Sequence, residues 1–267
     1  VRTALSGRPG PVHLSLPFDL LEERIEDQPA LWPAADTFLP HSQPLDEATA
    51  DAVLAVLGRA QRPLVLAGPQ LCHAGDLSLL RTLEDALGIP VVPMESPRGV
   101  NDPRLGAFAE VLKLADLILL LGKAHDFTLR FGDPPFVDAG CGFVVIDSDA
   151  AMIERVRREK AERARITAVA DAEPALQALA TRGRARNPNH SGWARKVRAA
   201  VAYRPPAWDT LTSNATGRLH PIELCRALEP IFARDPKAVL VCDGGEIGQW
   251  PQAMLSPARR IINGPAG

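Results

Sequence analysis

The sequence lacks the features that mark several common classes of protein. Its four cysteines include no Cys-x-x-Cys pair, which argues against a zinc site and a disulfide framework and favours a reducing, cytoplasmic setting. No apolar run approaches the roughly 18 residues that cross a bilayer, and residues 1–7 contain no apolar signal core. Gly-x-Ser-x-Gly and His-Glu-x-x-His motifs are absent, which excludes the corresponding hydrolases and zinc proteases. A formal net charge of −2 gives no basic field for nucleic acid or membrane, so small molecules are the expected ligands.

The hydrophobic content of 46% is arranged in short runs that alternate with segments of helical periodicity. Strands are predicted at 63–68, 89–92, 117–121, 143–146 and 166–169, and helices at 46–60, 77–87, 105–114, 150–160 and 172–180. Short, uninterrupted apolar strands between helices indicate a parallel sheet with both faces covered. The predicted fold is therefore α/β, a doubly wound, Rossmann-like central domain. A further short strand is predicted at 12–16.

Composition divides the chain into four parts. Residues 1–44 are predicted to be the tail of a preceding domain and a proline-containing linker, residues 45–182 the central domain, residues 183–218 a linker, and residues 219–267 an incomplete second α/β unit. Both ends are expected to be cut within larger domains. Residues 174–208 contain seven cations and no acid. Without a binding motif, this segment is predicted to be a solvated linker and helix rather than a nucleic-acid patch.

Candidate ligand residues follow the predicted strands, because ligands of open parallel sheets bind outside the carboxyl ends of the strands. Glycines there allow phosphate to approach, and acids accept hydrogen bonds from ribose hydroxyls. The candidates for a nucleotide cleft are Gly68, Ser96, Gly122, Asp126 and Asp147. No Gly-x-Gly-x-x-Gly fingerprint occurs, so ordinary strand-ending turns are an equal alternative. His125 stands beside Asp126, and a structural role is favoured over a proton-transfer pair.

A second glycine turn lies in the C-terminal unit. Asp243, Gly244, Gly245 and Glu246 fall between a predicted strand and a predicted helix, where main-chain amides can contact a diphosphate. The two acids repel bare phosphate unless a cation screens them. The turn therefore favours a magnesium diphosphate.

Several runs together resemble the thiamine-diphosphate enzymes, such as acetolactate synthase, oxalyl-CoA decarboxylase and benzoylformate decarboxylase. Residues 7–19 (GRPGPVHLSLPFD) look like the end of that family's pyrimidine-binding domain. Residues 63–68, 115–127 and 144–149 resemble its central domain in the same order. Residues 243–246 and 263–267 resemble the opening of its diphosphate-binding domain. The likeness covers nearly the full chain.

The resemblance implies a thiamine-diphosphate- and Mg²⁺-dependent enzyme that acts on a 2-oxo acid or acyl-CoA, assembled as a homodimer or homotetramer, with the carbanion chemistry supplied by the cofactor. It implies diphosphate contacts from Gly245 and Glu246, with Asp243, Gly244 and Gly264 beside them. The family's ylid-forming glutamate and its Gly-Asp-Gly…Asn magnesium motif would fall outside residues 1–267, so no catalytic residue and no metal ligand are assigned, and this segment alone is expected to be inactive.

Central domains of the family hold FAD, ADP or nothing. Residues 122–126 are similar to a Gly-Ala-Arg-Phe-Asp stretch near FAD, but Ala124 or His125 replaces its arginine, which weakens the FAD prediction. Two rival hypotheses are a free-standing domain that binds FAD, ADP or NAD, and a non-catalytic scaffold.

Overall fold

A computed structural model gives the fold of the 267-residue chain. The structure describes residues 1–24, 26, 32–75, 77–184, 190–235, 237–243, 245, 247–257 and 259–262.

A five-stranded parallel sheet forms the centre of the molecule. Its strands are β1 (Pro63–Ala67), β2 (Val91–Pro93), β3 (Leu117–Leu121), β4 (Gly142–Asp147) and β5 (Ala164–Val169), in the spatial order β2-β1-β3-β4-β5. β1, β3 and β4 are buried along their whole length, as expected for uninterrupted apolar runs covered on both faces. The predicted doubly wound α/β fold is confirmed. The order of strands reverses between β1 and β3, which is the position where such sheets form a ligand crevice.

Three helices cover each face of the sheet. One face packs against α3 (Glu47–Arg59), α4 (Ser78–Leu87) and α7 (Ala172–Gly183), and the other against α5 (Phe108–Leu112), α6 (Ala150–Lys160) and α8 (Ser191–Ala202). Asp46 caps α3 by accepting a hydrogen bond from the N–H of Thr49 at 2.9 Å. Gly88 ends α4 in the left-handed conformation that glycine adopts without strain.

Helix α8 lies within the range predicted to be a linker, yet it belongs to the core. Its residue Val197 is buried, and the indole N–H of its Trp193 donates to the carbonyl of Pro63 at 2.7 Å. The basic residues of this helix dominate its composition, so composition alone does not reveal its apolar face. Its buried residues nevertheless recur at helical spacing. The second face of the sheet is therefore closed by a helix beyond residue 182.

The C-terminal residues form a small α/β unit with its own two-stranded sheet. It contains α9 (Pro221–Arg234), β6 (Val239–Cys242), α10 (Gln249–Met254) and β7 (Arg259–Ile262), with β6 and β7 paired in parallel. Pro221 occupies the first turn of α9, where its missing N–H costs nothing.

The N-terminal residues contain two short helices, α1 (Arg2–Leu5) and α2 (Phe18–Glu22). The strand predicted at 12–16 is wrong, because these residues have no regular structure and their side chains are exposed. An alternating pattern forms a strand only beside another strand, and none of the described residues pairs with this one. In the part of the chain that the structure describes, no helix combines the length and apolar character needed to cross a bilayer.

Candidate functional site

Two glycines meet at the carboxyl edge of the central sheet. Gly68 follows β1 and Gly122 follows β3, and a Cβ atom on Gly68 would lie 1.8 Å from the carbonyl oxygen of Gly122. Gly122 has a φ of +59°, and its own Cβ would lie 2.6 Å from the Cβ of Ala172. The N–H of Gly68 donates to the carbonyl of Leu121, and that of Gly122 to the carbonyl of Ile146. Both glycines are thus required for strand ends to pack together, and both amides are already bonded.

Asp147, at the end of β4, is bound by an arginine from the N-terminal segment. Its carboxylate is 1% exposed and accepts two hydrogen bonds from Arg8, from Nε at 3.0 Å and from Nη2 at 2.5 Å. It also accepts from the N–H of Asp149 at 2.9 Å. These hydrogen bonds raise the pKa of Arg8. A bidentate pair of this kind is stronger than a neutral hydrogen bond and fixes both planar groups.

The segment that carries Arg8 contacts the ends of two strands, β1 and β4. Gln70, after β1, donates from Nε2 to the carbonyl of Gly7 at 3.2 Å. A Cβ on Gly7, whose φ is +64°, would lie 3.7 Å from Oγ of Ser148, after β4. The hydroxyl oxygen of Ser6 accepts from the N–H of His41 at 3.1 Å. Residues 6–10 therefore lie over the crevice between β1 and β4. Sequence reasoning missed Arg8 as a site residue, and its only signal was an arginine between glycine and proline in a segment interpreted as the tail of the preceding domain.

The remaining candidates at this edge have partners within the protein. Asp126 accepts from the N–H of Thr128 at 3.0 Å and from its hydroxyl at 2.5 Å. The buried ammonium of Lys123 donates to the same hydroxyl at 2.5 Å and to Asp126 at 3.5 Å. Burial lowers the pKa of Lys123. Ser96 is buried after β2, where its hydroxyl oxygen accepts from the N–H of Arg98 at 3.2 Å.

His125 points away from Asp126 and into the core. Its side chain is 0% exposed and meets the ring of Phe143 edge-on at 5.3 Å between centroids. Neither ring nitrogen has a hydrogen-bond partner among the described residues. Burial and the positive charges of Lys160 and Arg155 lower the pKa of His125 to about 4. The structural interpretation of His125 is supported, because an enclosed neutral imidazole cannot exchange protons with Asp126.

Nucleotide binding at this edge does not fit the residues present. A bound nucleotide requires free amides for its phosphates and a free acid for its ribose. Here both glycine amides bond neighbouring strands, and Arg8 covers Asp147. The five candidates do gather at the strand ends. However, the space beside the two glycines is occupied by neighbouring protein atoms, and the polar side chains are hydrogen-bonded within the protein.

The predicted diphosphate turn follows β6. Gly245 has a φ of +88°, and nothing lies within 4 Å of where its Cβ would stand. At the far side of the turn, a Cβ on Gly248 would lie 2.6 Å from the carbonyl of Asp243, and that glycine's own carbonyl accepts from Nε2 of Gln252 at 2.9 Å. The backbone is therefore tightly packed at Gly248, whereas the space beside Gly245 is open. Gly244, Glu246 and Gly264 lie outside the described residues.

A buried ion network holds the C-terminal unit against the central domain. The side chain of Arg260, on β7, is 2% exposed and bonds both oxygens of Asp102, from Nη1 at 3.1 Å and from Nη2 at 2.5 Å. Its Nε also bonds Glu95, which pairs with Arg104 at 3.1 Å. The acids that follow β2 thus anchor the neighbouring unit.

Three cations of the cation-rich segment have partners within the protein. Arg182 pairs with Asp51 at 2.5 Å, and Arg198 pairs with Glu84 at 3.2 Å. Arg204 donates to backbone carbonyls, including that of Ala253 at 2.6 Å. The helix predicted in this segment is present as α8, but it packs against the central sheet and is not a solvated helix. In the described part of the chain, no cluster of three or more His, Cys, Asp or Glu side chains is arranged to hold a metal ion.

Comparisons with known proteins bear on both units. The family model "Thiamine pyrophosphate enzyme, central domain" matches residues 50–179. A 2-hydroxyacyl-CoA lyase 1 from Dictyostelium discoideum is 30% identical over 56% of this chain and 27% of its own length. An acetolactate synthase large subunit from Mycobacterium tuberculosis is 28% identical over 100% of this chain and 48% of its own length. An oxalyl-CoA decarboxylase from Escherichia coli is 27% identical over 59% of this chain and 29% of its own length. The chain thus spans about half or less of the length of these relatives.

Proposed function

Because this chain belongs to the thiamine pyrophosphate enzyme family, through its central domain, we propose that it works in a thiamine-diphosphate- and Mg²⁺-dependent enzyme of the acetolactate-synthase type. Such an enzyme makes or breaks a carbon–carbon bond beside the carbonyl of a 2-oxo acid or an acyl-CoA. Thiamine diphosphate supplies the carbanion chemistry when bound. We further propose that the enzyme is a homodimer or homotetramer.

The observation that carries this proposal is the alignment with acetolactate synthase over the whole chain, beyond the central domain. It includes the turn after β6, where Gly245 has the positive φ and the open space that a close approach to diphosphate requires. The proposed diphosphate contacts are Gly245 and Glu246, flanked by Asp243, Gly244 and Gly264. Gly248 and Gln252 would keep the turn closed beneath them.

We also propose a division of the chain into four parts. Residues 1–44 would complete a pyrimidine-binding domain and its linker, residues 45–182 form the central domain, residues 183–218 connect it, and residues 219–267 begin a diphosphate-binding domain. Helix α8, within the connecting part, packs against the central sheet.

Replacing Gly245 by valine in the full-length protein tests the cofactor site. A side chain there is strained at a φ of +88° and stands where the amides would face phosphate. Loss of two charge-assisted contacts, each about 1.5–3 kcal/mol, would raise the dissociation constant of thiamine diphosphate by about two to four powers of ten. Titration calorimetry with Mg²⁺ present measures this effect.

The matched control is Gly217→Val, because Gly217 also has a positive φ, +70°, and nothing near its Cβ position. It should cost similar stability and leave cofactor affinity unchanged. Equal affinity in folded Gly245→Val and wild type would show that the diphosphate binds elsewhere. Product analysis with pyruvate and with oxalyl-CoA then separates the reaction classes. Acetolactate from pyruvate is expected, and turnover of the acyl-CoA alone would refute the acetolactate-synthase assignment.

A further inference from the structure

A segment from the N-terminal part of the same chain lies at the carboxyl edge of the central sheet. Gly7 contacts Gln70, just after β1, and Arg8 contacts Asp147, at the end of β4, which places the segment beside the reversal of strand order where doubly wound sheets bind nucleotides. We propose that this edge is a docking site for residues 6–10, clasped by the pair of Arg8 and Asp147, and that the segment excludes a nucleotide from the central domain. This inference is independent of the proposed cofactor site after β6.

The chemistry of the clasp matches what the edge offers. The acid at the end of β4 is the group that would accept hydrogen bonds from ribose hydroxyls in a nucleotide site. Here the Arg8 guanidinium makes two parallel bonds to that acid at 3.0 and 2.5 Å. Because Asp147 is 1% exposed, its charge requires a partner, and with Arg8 lying against the carboxylate a ribose hydroxyl cannot reach it.

The rest of the segment makes the docking specific. The carbonyl of Gly7 accepts a hydrogen bond from Gln70, and a Cβ placed on Gly7 would lie 3.7 Å from Oγ of Ser148, so the segment passes close to both side chains. Its φ of +64° brings the chain close to the sheet without a side chain in the crevice. Ser6 bonds the backbone of His41, and the N–H of Gly10 donates to Ala4 at 3.0 Å, which closes the segment on itself. Contacts on both sides of Arg8 therefore set its register.

Hydrogen exchange of the full-length protein tests the clasp. Arg8→Ala and Asp147→Asn should each speed amide exchange in residues 6–10 by roughly tenfold to a hundredfold, because each removes a charge-assisted bidentate contact. Arg8→Lys keeps the charge but loses the planar fork, so its exchange should be intermediate. Arg24→Ala is the control, because it removes an exposed arginine from the same region. Unchanged exchange in both Arg8→Ala and Asp147→Asn would refute the clasp.

Calorimetric titration with ADP and with FAD tests the exclusion of nucleotides. Wild type should bind neither at this edge. The proposal is overturned if wild type binds ADP or FAD and Asp147→Asn weakens that binding, because the carboxylate would then serve the nucleotide. Binding that appears only in Arg8→Ala would support the proposal, since it would show the segment competing for the crevice. Neither result depends on thiamine diphosphate, so failure here is distinguishable from failure of the proposed function.

Discussion

Replacing His125 by leucine should remove much of the protein's loss of stability in mild acid. In the folded state the imidazole is fully enclosed, and its ring nitrogens have no partner among the described residues. Burial, together with the positive charges of Lys160 and Arg155, lowers its pKa to about 4. The negative charges of Glu159 and Asp133 act in the opposite direction and do not cancel this effect. In the unfolded chain the pKa of histidine is about 6.5.

The sign follows from proton linkage. The folded pKa lies below the unfolded value, so the unfolded state binds more protons between about pH 4 and 6.5, and stability falls as the pH falls through that window. A difference of about 2.5 units corresponds to about 3 kcal/mol when the shift is fully expressed, and to about 2 kcal/mol between pH 7 and 5. Leucine has no proton to bind and leaves no buried nitrogen unpaired, so at neutral pH its stability should equal or exceed that of wild type.

Denaturant unfolding near pH 7 and pH 5 measures the difference. Wild type should lose about 2 kcal/mol more than His125→Leu over that interval. His13→Gln serves as control, because His13 is exposed, and it should follow wild type. If His125→Leu and wild type fall in parallel, the imidazole is not held neutral in the core and the reasoning is refuted.

Two further predictions concern the packing of the strand ends and the joint between the units. Gly68→Ala should destabilise the protein by about 3 kcal/mol or more, because the added Cβ would lie 1.8 Å from a backbone oxygen. The control is Gly58→Ala on α3, which has open space at the Cβ position and should be neutral or stabilising by about 1 kcal/mol. Equal effects of the two substitutions in thermal unfolding would contradict the close packing at Gly68. Arg260→Met should lower the free energy of unfolding by about 3–5 kcal/mol, because it leaves the buried carboxylate of Asp102 without its cation. The control is Arg259→Met, at an exposed neighbouring position, which should have little effect on stability. Matching denaturation curves for the two variants would disprove the network.

The sequence alone determined the strands and most helices of the central domain. Runs such as 117–121 and 143–146 are apolar throughout, and such runs are stable only when both faces are covered. Local signals set several boundaries, including Asp46 at the start of α3 and Gly88 at the end of α4. The resemblance to thiamine-diphosphate enzymes was also carried by contiguous residues, and the family is confirmed.

Only the tertiary structure decided which elements complete the core. Helix α8 was predicted as part of a linker because its cations dominate the composition, although its buried stripe seals one face of the sheet. The strand predicted at 12–16 failed for the opposite reason, because an alternating pattern needs a neighbouring strand that the described residues do not provide.

The candidate site shows the same division. The sequence placed Gly68, Gly122 and Asp147 at strand ends, since the carboxyl ends of parallel strands share one edge. It did not reveal that Arg8, 139 residues away in sequence, donates two hydrogen bonds to the carboxylate of Asp147. Such a pairing depends on where a segment without regular structure crosses the sheet, and periodicity carries no information about that path. The partner of Asp147 was therefore decided by the tertiary structure, through a long-range contact between two charged side chains.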